Sequence, residues 1–189
     1  AYADWAGLRP MTELEYEKAC RGPLSPVADE YAWGDTNITD ATGFSGTDGS
    51  GTETALPSGA NCSYGNDGIV GPARAGIFAT ASSGRTVAGA TYYGVMEMSG
   101  SLWEKIVAVG DATGRLFTGA HGDGVLTSIG NANVPDWPLA SLPNGSGFRG
   151  GNWYHSSVYL RISDRSNAPG AGAKRMNRHG GRAVRLAPP

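Results

Sequence analysis

From Ala28 to about Ala90 the chain contains little besides Gly, Ser, Thr, Asn and Asp, interrupted by the aromatic anchor Tyr31-Ala32-Trp33-Gly34. Such a stretch cannot form regular structure throughout, because these residues favour turns and self-capping side chains. A connection this long inside a compact domain is either functional or held by something other than sheet, and bound cations are one way to hold it. Gly46 to Gly51 reads as its most mobile tip. The fold must therefore be loop-rich. With 30 glycines in 189 residues, 17% charged and 40% hydrophobic, the chain fits a single globular domain and neither a helical bundle nor a disordered chain.

Regular structure is expected in few places. Ala1 to Ala6 reads as the end of a helix closed by Gly7, so the domain is expected to lack its own N-terminal start. In Pro10 to Gly22, Thr12 can cap a helix and Glu15, three residues on, can complete a capping box. The second half of Gly94–Val109 alternates apolar and polar residues as a half-buried strand would. Phe148 to Trp153, Tyr159 to Ser163 and Arg182 to Leu186 are short strand candidates. The pattern is α+β with long irregular connections.

Charge is uneven along the chain. Residues 145–189 hold eight Lys or Arg against the one acid Asp164, while residues 1–44 hold eight acids against three bases. Most C-terminal arginines are therefore expected to pair with backbone carbonyls and with N-terminal acids. A net charge of −2 gives no electrostatic support for a nucleic-acid partner. No apolar run approaches the roughly 20 residues that span a bilayer, and no signal peptide is visible. Cys20 and Cys62 demand no disulfide framework. His121, His155 and His179 lack the spacing of a zinc or non-haem iron site.

Two stretches carry chemistry. Asn61-Cys62-Ser63-Tyr64-Gly65-Asn66-Asp67-Gly68-Ile69 is oxygen-rich, with amides, a carboxylate and glycines that let backbone carbonyls turn inward, as a calcium loop requires. A plain Asn/Gly turn is the alternative. Further on, the glycine-marked frame Gly147-Phe148-Arg149-Gly150-Gly151-Asn152-Trp153 gives way to Tyr154-His155-Ser156-Ser157, which share no packing logic. An exposed Tyr-His pair beside so constrained a frame favours binding, with an ordinary polar surface loop as the alternative.

Leu8 to Gly22, Tyr31-Ala32-Trp33-Gly34, Tyr93 to Glu104, Phe148 to Trp153 and Gly181-Arg182-Ala183-Val184-Arg185 occur in one order. Together they resemble the formylglycine-generating-enzyme, or sulfatase-modifying-factor, family over nearly the whole chain. The resemblance implies a C-type-lectin-like fold: a small twisted sheet, one or two N-terminal helices and long structured loops. It maps a structural Ca²⁺ site onto Asn61, Cys62, Asp67 and Ile69, and a second onto Glu104, where the family's Asn is Ser101. Copper is not expected, because the cysteine pair that holds it in the oxidising members has no counterpart after Cys62. Hydroxyls at Ser157 or Ser163 cannot replace soft thiolates.

Within the family, a scaffold without the metal-binding residues resembles the variable proteins of diversity-generating retroelements, in which adenine-directed mutagenesis rewrites positions near the C-terminus. Tyr154, His155, Ser156, Ser157, Tyr159, Asn177, Arg178, His179 and Gly180 are all reachable from an Asn template codon; Met176 is not. The expectation is a non-enzymatic, receptor-type protein. Its binding segment spans about 153–180, with Tyr154 to Tyr159 and Met176 to His179 as the contact surface for a protein or other macromolecular ligand on a target cell. The same reading places it at a cell surface or on a virion. The alternatives are a formylglycine-generating-type oxidoreductase and a structural assembly domain. No sugar ligand is implied, since no Glu-Pro-Asn or Trp-Asn-Asp motif is present.

Overall fold

The computed structural model describes residues 1–138, 144–169 and 175–186. It is a small mixed α/β fold with few helices and small sheets. Helix α1 spans Tyr2–Trp5 and α2 spans Glu13–Arg21. The capping box read from the sequence is in place: Glu15 N donates to Thr12 Oγ1 at 3.2 Å, and Thr12 N donates back to Glu15 Oε2 at 2.9 Å.

The Glu15 carboxylate also accepts from both terminal nitrogens of Arg9, at 2.5 and 2.9 Å. Burial alone would raise its pKa, but the bonds from Arg9 and Thr12 outweigh burial and hold it at about 2, against an ordinary 4.5. A depressed folded-state value means stabilisation that is full above about 4.5 and lost as pH falls toward 2. Glu15→Gln is therefore expected to cost on the order of 1–2 kcal/mol at pH 7, after discounting for solvent screening of this partly exposed group. Denaturant midpoints should show the gap closing near pH 2; a gap undiminished there contradicts the assignment.

Seven short strands follow: β1 (Arg9–Pro10), β2 (Gly43–Ser45), β3 (Thr54–Leu56), β4 (Trp103–Val107), β5 (Ser146–Arg149), β6 (His179–Gly181) and β7 (Ala183–Val184). β1 pairs antiparallel with β7, tying the two ends of the chain together. β2 and β3 form a hairpin whose turn contains Gly46 to Gly51, inside a stretch the sequence reading left without strands. The central sheet has order β5-β4-β6, with β5 antiparallel and β6 parallel to β4.

Tyr159 to Ser163, expected as a strand, is instead a 3₁₀ turn at Ser157–Leu160 followed by irregular backbone. Its backbone groups find partners outside any ladder. Ser99 Oγ donates to Leu160 O at 2.7 Å and Ile162 N donates to Glu30 O at 2.9 Å, which lets Leu160 and Ile162 both reach the core. The main core joins them to Tyr16, Cys20, Tyr31, Trp33, Met98 and Ile106. A second cluster of Ala41, Ala60, Ile77 and Phe78 gives the long polar stretch its own apolar anchor.

The basic C-terminal segment meets the acidic N-terminal one, as its composition predicts. Arg149, with no exposed surface, donates to Glu13 and to the Ile162 carbonyl, pairs with Glu17 at 3.0 Å and lies 5.1 Å over the Tyr16 ring. Arg165 holds the same Glu13 carboxylate at 2.6 Å, and Arg161 pairs with Asp29 at 2.9 Å. Burial pushes the Glu13 pKa up, but the guanidiniums of Arg165 and Arg149 pull it below the usual range. The pairs fasten α2 to the segment that leads into the candidate site.

Candidate functional site

Side chains on β4 alternate between two faces of the sheet. Glu104 and Ile106 turn inward with Arg149, all buried. Trp103 and Lys105 turn to the other face, where register sets them beside His179 and Phe148. The loop after β5 folds over this outer face. Trp103 meets His155 at 5.7 Å and Tyr159 at 6.2 Å between ring centroids, and His155 meets Tyr159 at 5.2 Å and Tyr154 at 5.5 Å. Phe148 stacks on His179 at 4.2 Å, and the Arg178 guanidinium lies 4.9 Å over the Tyr154 ring. The result is one continuous aromatic, histidine and arginine face.

Its shape is fixed by backbone. Gly65 N donates to His155 O and Asn66 N to Trp153 O, both at 2.9 Å, so the oxygen-rich loop of residues 61–69 is a brace for the binding run. Trp153 N donates to Ser101 O at 3.0 Å. At Gly151, with φ +67, a Cβ would sit 2.4 Å from Leu160 Cδ1, so the frame needs glycine to let the 3₁₀ turn close on it. Buried Asn152 Oδ1 accepts from Tyr154 N, His155 N and His155 Nδ1 at 2.9, 3.1 and 2.9 Å. An amide oxygen only accepts, so the proton is on His155 Nδ1 and Nε2 is left with a lone pair. Burial, then the charges of Arg178 and His179, hold the His155 pKa below the usual histidine value, which favours the neutral ring at pH 7.

Tyr154, His155, Tyr159, Arg178 and His179 are thus brought together. Ser156 and Ser157 sit at the start of the 3₁₀ turn, and Met176 and Asn177 are exposed on the approach to β6. Residues 170–174 of the expected 153–180 segment lie outside the described residues. The sequence reading missed Trp103, Lys105 and Phe148. The signal was there: the two β4 residues alternate with Glu104 and Ile106, and Phe148 lies on a strand candidate.

The residues mapped for calcium take the following positions. Asn61 Oδ1 accepts from Thr39 N at 2.9 Å, and its amide donates to the carbonyls of Asn37 and Thr86, both at 3.1 Å. Cys62 O accepts from Ala41 N at 2.9 Å, and Ile69 packs on the second core cluster. Asp67 lies against Asp40, whose pKa burial pushes up to about 6, with the Asp67 charge adding to the shift. Two carboxyls in contact, one of them reluctant to ionise, fit a hard cation better than they fit each other. Glu104 Oε1 accepts from Arg182 Nε at 2.6 Å.

Cys20 and Cys62 are free and buried, burial pushing one thiol up to about 12 and the other well above its usual range. Among the described residues no three His, Cys, Asp or Glu side chains gather at one point. No helix among them is long and apolar enough to cross a membrane.

The scaffold, with its capped helix, glycine frame and Trp-Glu strand, defines a class. The chain belongs to the family of sulfatase-modifying factor enzyme 1-like domains, whose model matches residues 1–187. It is 33% identical over 105 residues to a hercynine oxygenase of Mycolicibacterium smegmatis, covering 55% of this chain and 18% of that protein. The same identity over 105 residues relates it to a hercynine oxygenase of Mycolicibacterium thermoresistibile, covering 55% of this chain and 17% of that one. The matched stretch is therefore less than a fifth of either relative's length. These findings correct the expectation of a non-enzymatic protein: the family is described as enzyme-like, and both relatives carry an enzyme's name.

Proposed function

We propose that this domain recognises a macromolecular ligand through the face formed by Tyr154, His155, Tyr159, Arg178 and His179. We read its scaffold as C-type-lectin-like and its contact residues as the diversified positions of a retroelement variable protein. One observation carries the reading: exposure and burial divide the segment along the line that replaceable and fixed residues would require. Tyr154, Ser156, Met176 and Asn177 are exposed and His155, Ser157, Tyr159, Arg178 and His179 partly so, while Asn152, Trp153, Leu160 and Ile162 are buried. Tyrosines give large contact area at low entropic cost, and serines adapt their hydrogen bonding, as in an antibody paratope.

The protein-level test is tolerance. Substituting Tyr154, Ser156 and Asn177 together is expected to move stability by less than about 1 kcal/mol. Leu160→Ala is expected to cost about 2–5 kcal/mol. Equal costs would remove the division on which the reading rests.

Calcium belongs to this proposal at Asp67, with Asp40 as the second carboxylate. At free Ca²⁺ a hundredfold above Kd the ion would add about 2.7 kcal/mol. A chelator is then expected to lower the melting temperature by several degrees, and Asp67→Asn to abolish that difference; an unmoved melting temperature contradicts it.

The names of the two relatives favour a second reading, in which the domain is part of an oxygenase. The same face would then seat the substrate, and the metal would be held by groups other than the described residues of this chain. Oxygen consumption by the full-length protein on addition of iron or copper decides for it; inertness with both metals decides against it.

A further inference from the structure

A cleft of about 530 Å³ is lined in part by Lys105, which also lies against Phe148 of the aromatic face. Its walls are apolar where Tyr2, Pro10, Val134 and Trp137 line it. Trp137 is 8% exposed and fixed by its Nε1–H, which donates to Ala120 O at 2.9 Å, so that wall is rigid. The charged side chains in the lining are all basic, Lys105, Arg175 and Arg182, with no carboxylate among the lining residues. Arg182 is already neutralised by Glu104 at 2.6 Å.

Lys105 is half-buried, its ammonium lies 4.8 Å from the Phe148 ring centroid, and it has no carboxylate partner among the described residues. A partly desolvated ammonium without a counter-charge is costly, and an anion delivered by a ligand removes that cost. The volume lies within the range of small-molecule sites, and an apolar wall with few convergent polar groups is their usual composition.

We propose that this cleft binds a small ligand with an apolar body and one carboxylate, the body against Trp137 and the carboxylate between Lys105 and Arg175. The cleft shares Lys105 with the aromatic face, while its other lining residues lie outside that face, and neither assignment requires the other.

The test uses the whole chain and two probes, 4-phenylbutyrate and its neutral primary amide, with the Trp137 indole N–H followed by NMR. The carboxylate is expected to shift that resonance saturably, and the amide to bind at least about tenfold more weakly. Lys105→Met is expected to weaken the carboxylate by about tenfold or more, and Lys105→Arg to restore it. Arg175→Gln, at an exposed position, should weaken it severalfold and keeps the test valid if Lys105→Met does not fold. Equal binding of carboxylate and amide, no saturable shift, or full affinity in both Lys105→Met and Arg175→Gln overturns the proposal. Shifts gathered at Tyr154 and Arg178 instead of Trp137 overturn the cleft assignment while leaving the aromatic face standing.

Discussion

Arg149→Met is expected to destabilise the domain by about 3–5 kcal/mol, enough to leave a marginal domain largely unfolded. The reason is not the value of the ion pair itself, since buried pairs only roughly balance their desolvation. It is what the substitution leaves behind. Glu13, 1% exposed, would keep only Arg165, which reaches it from the solvent side, and the Ile162 carbonyl would lose its donor. The Glu17 carboxylate would keep Arg21 at 2.7 Å. A denaturant melt measures the loss. Glu13→Gln combined with Arg149→Met should cost clearly less than the two single substitutions added, because the second change removes the charge stranded by the first. Additive costs would mean that the network does not hold α2 to the site-bearing segment.

Gly147→Ala is the second large effect, about 3 kcal/mol or more. Gly147 lies in β5 opposite Ile106, and a Cβ there would stand 1.7 Å from the Ala168 carbonyl oxygen. The obstacle is backbone, and it is locked: Phe148 N donates to Asn167 O at 2.8 Å, and Ala168 N donates to Arg165 O at 3.0 Å. The methyl therefore has to push the 167–168 chain off the strand or bend β5 away from β4. Since β5 carries Phe148, the outer aromatic face should loosen with it, and the Phe148 to His179 ring contact is where NMR ring-current shifts would report the change. A stable variant with unchanged shifts at His179 would contradict the close approach.

How much of this was legible in the chain depends on whether the signal is local. The capping box at Thr12 and Glu15 is a short-range pattern, and it formed as read. The Trp103 to Val107 strand showed its alternation in five residues. The pairing of acidic and basic ends was visible as charge asymmetry, although which arginine takes Glu13 was not. What escaped depends on distant partners. β6 is a strand because it lies parallel to β4, a pairing that no feature of His179-Gly180-Gly181 announces. Leu160 and Ile162 are spaced as strand residues yet satisfy their backbone through Ser99 and Glu30.

The site was half legible for the same reason. Tyr154 and His155 stood out because they follow a rigid frame and do not resemble core. Trp103 and Phe148 do resemble core, and their low exposure of 3% and 8% hides that their more exposed neighbours complete a surface. Asn61 and Asp67 read as one oxygen-rich loop. In the fold Asn61 ties three backbone segments together, while Asp67 turns to Asp40, which is far from it in sequence. The expectation of a domain outside the enzymes was a judgement from missing cysteines, and the enzyme names of the relatives correct it.

We propose the outer face of the three-stranded sheet as a replaceable binding surface on a fixed scaffold, and population sequencing of the gene tests that proposal most directly. A replaceable face predicts substitutions concentrated in the codons for Tyr154, His155, Ser156, Ser157, Tyr159, Asn177, Arg178 and His179. It also predicts a nearby repeat of the region encoding residues 147–187 that differs at adenines, with the codons for Trp153, Leu160 and Ile162 unchanged. Uniform conservation across the segment, with no such repeat in the surrounding DNA, would contradict it.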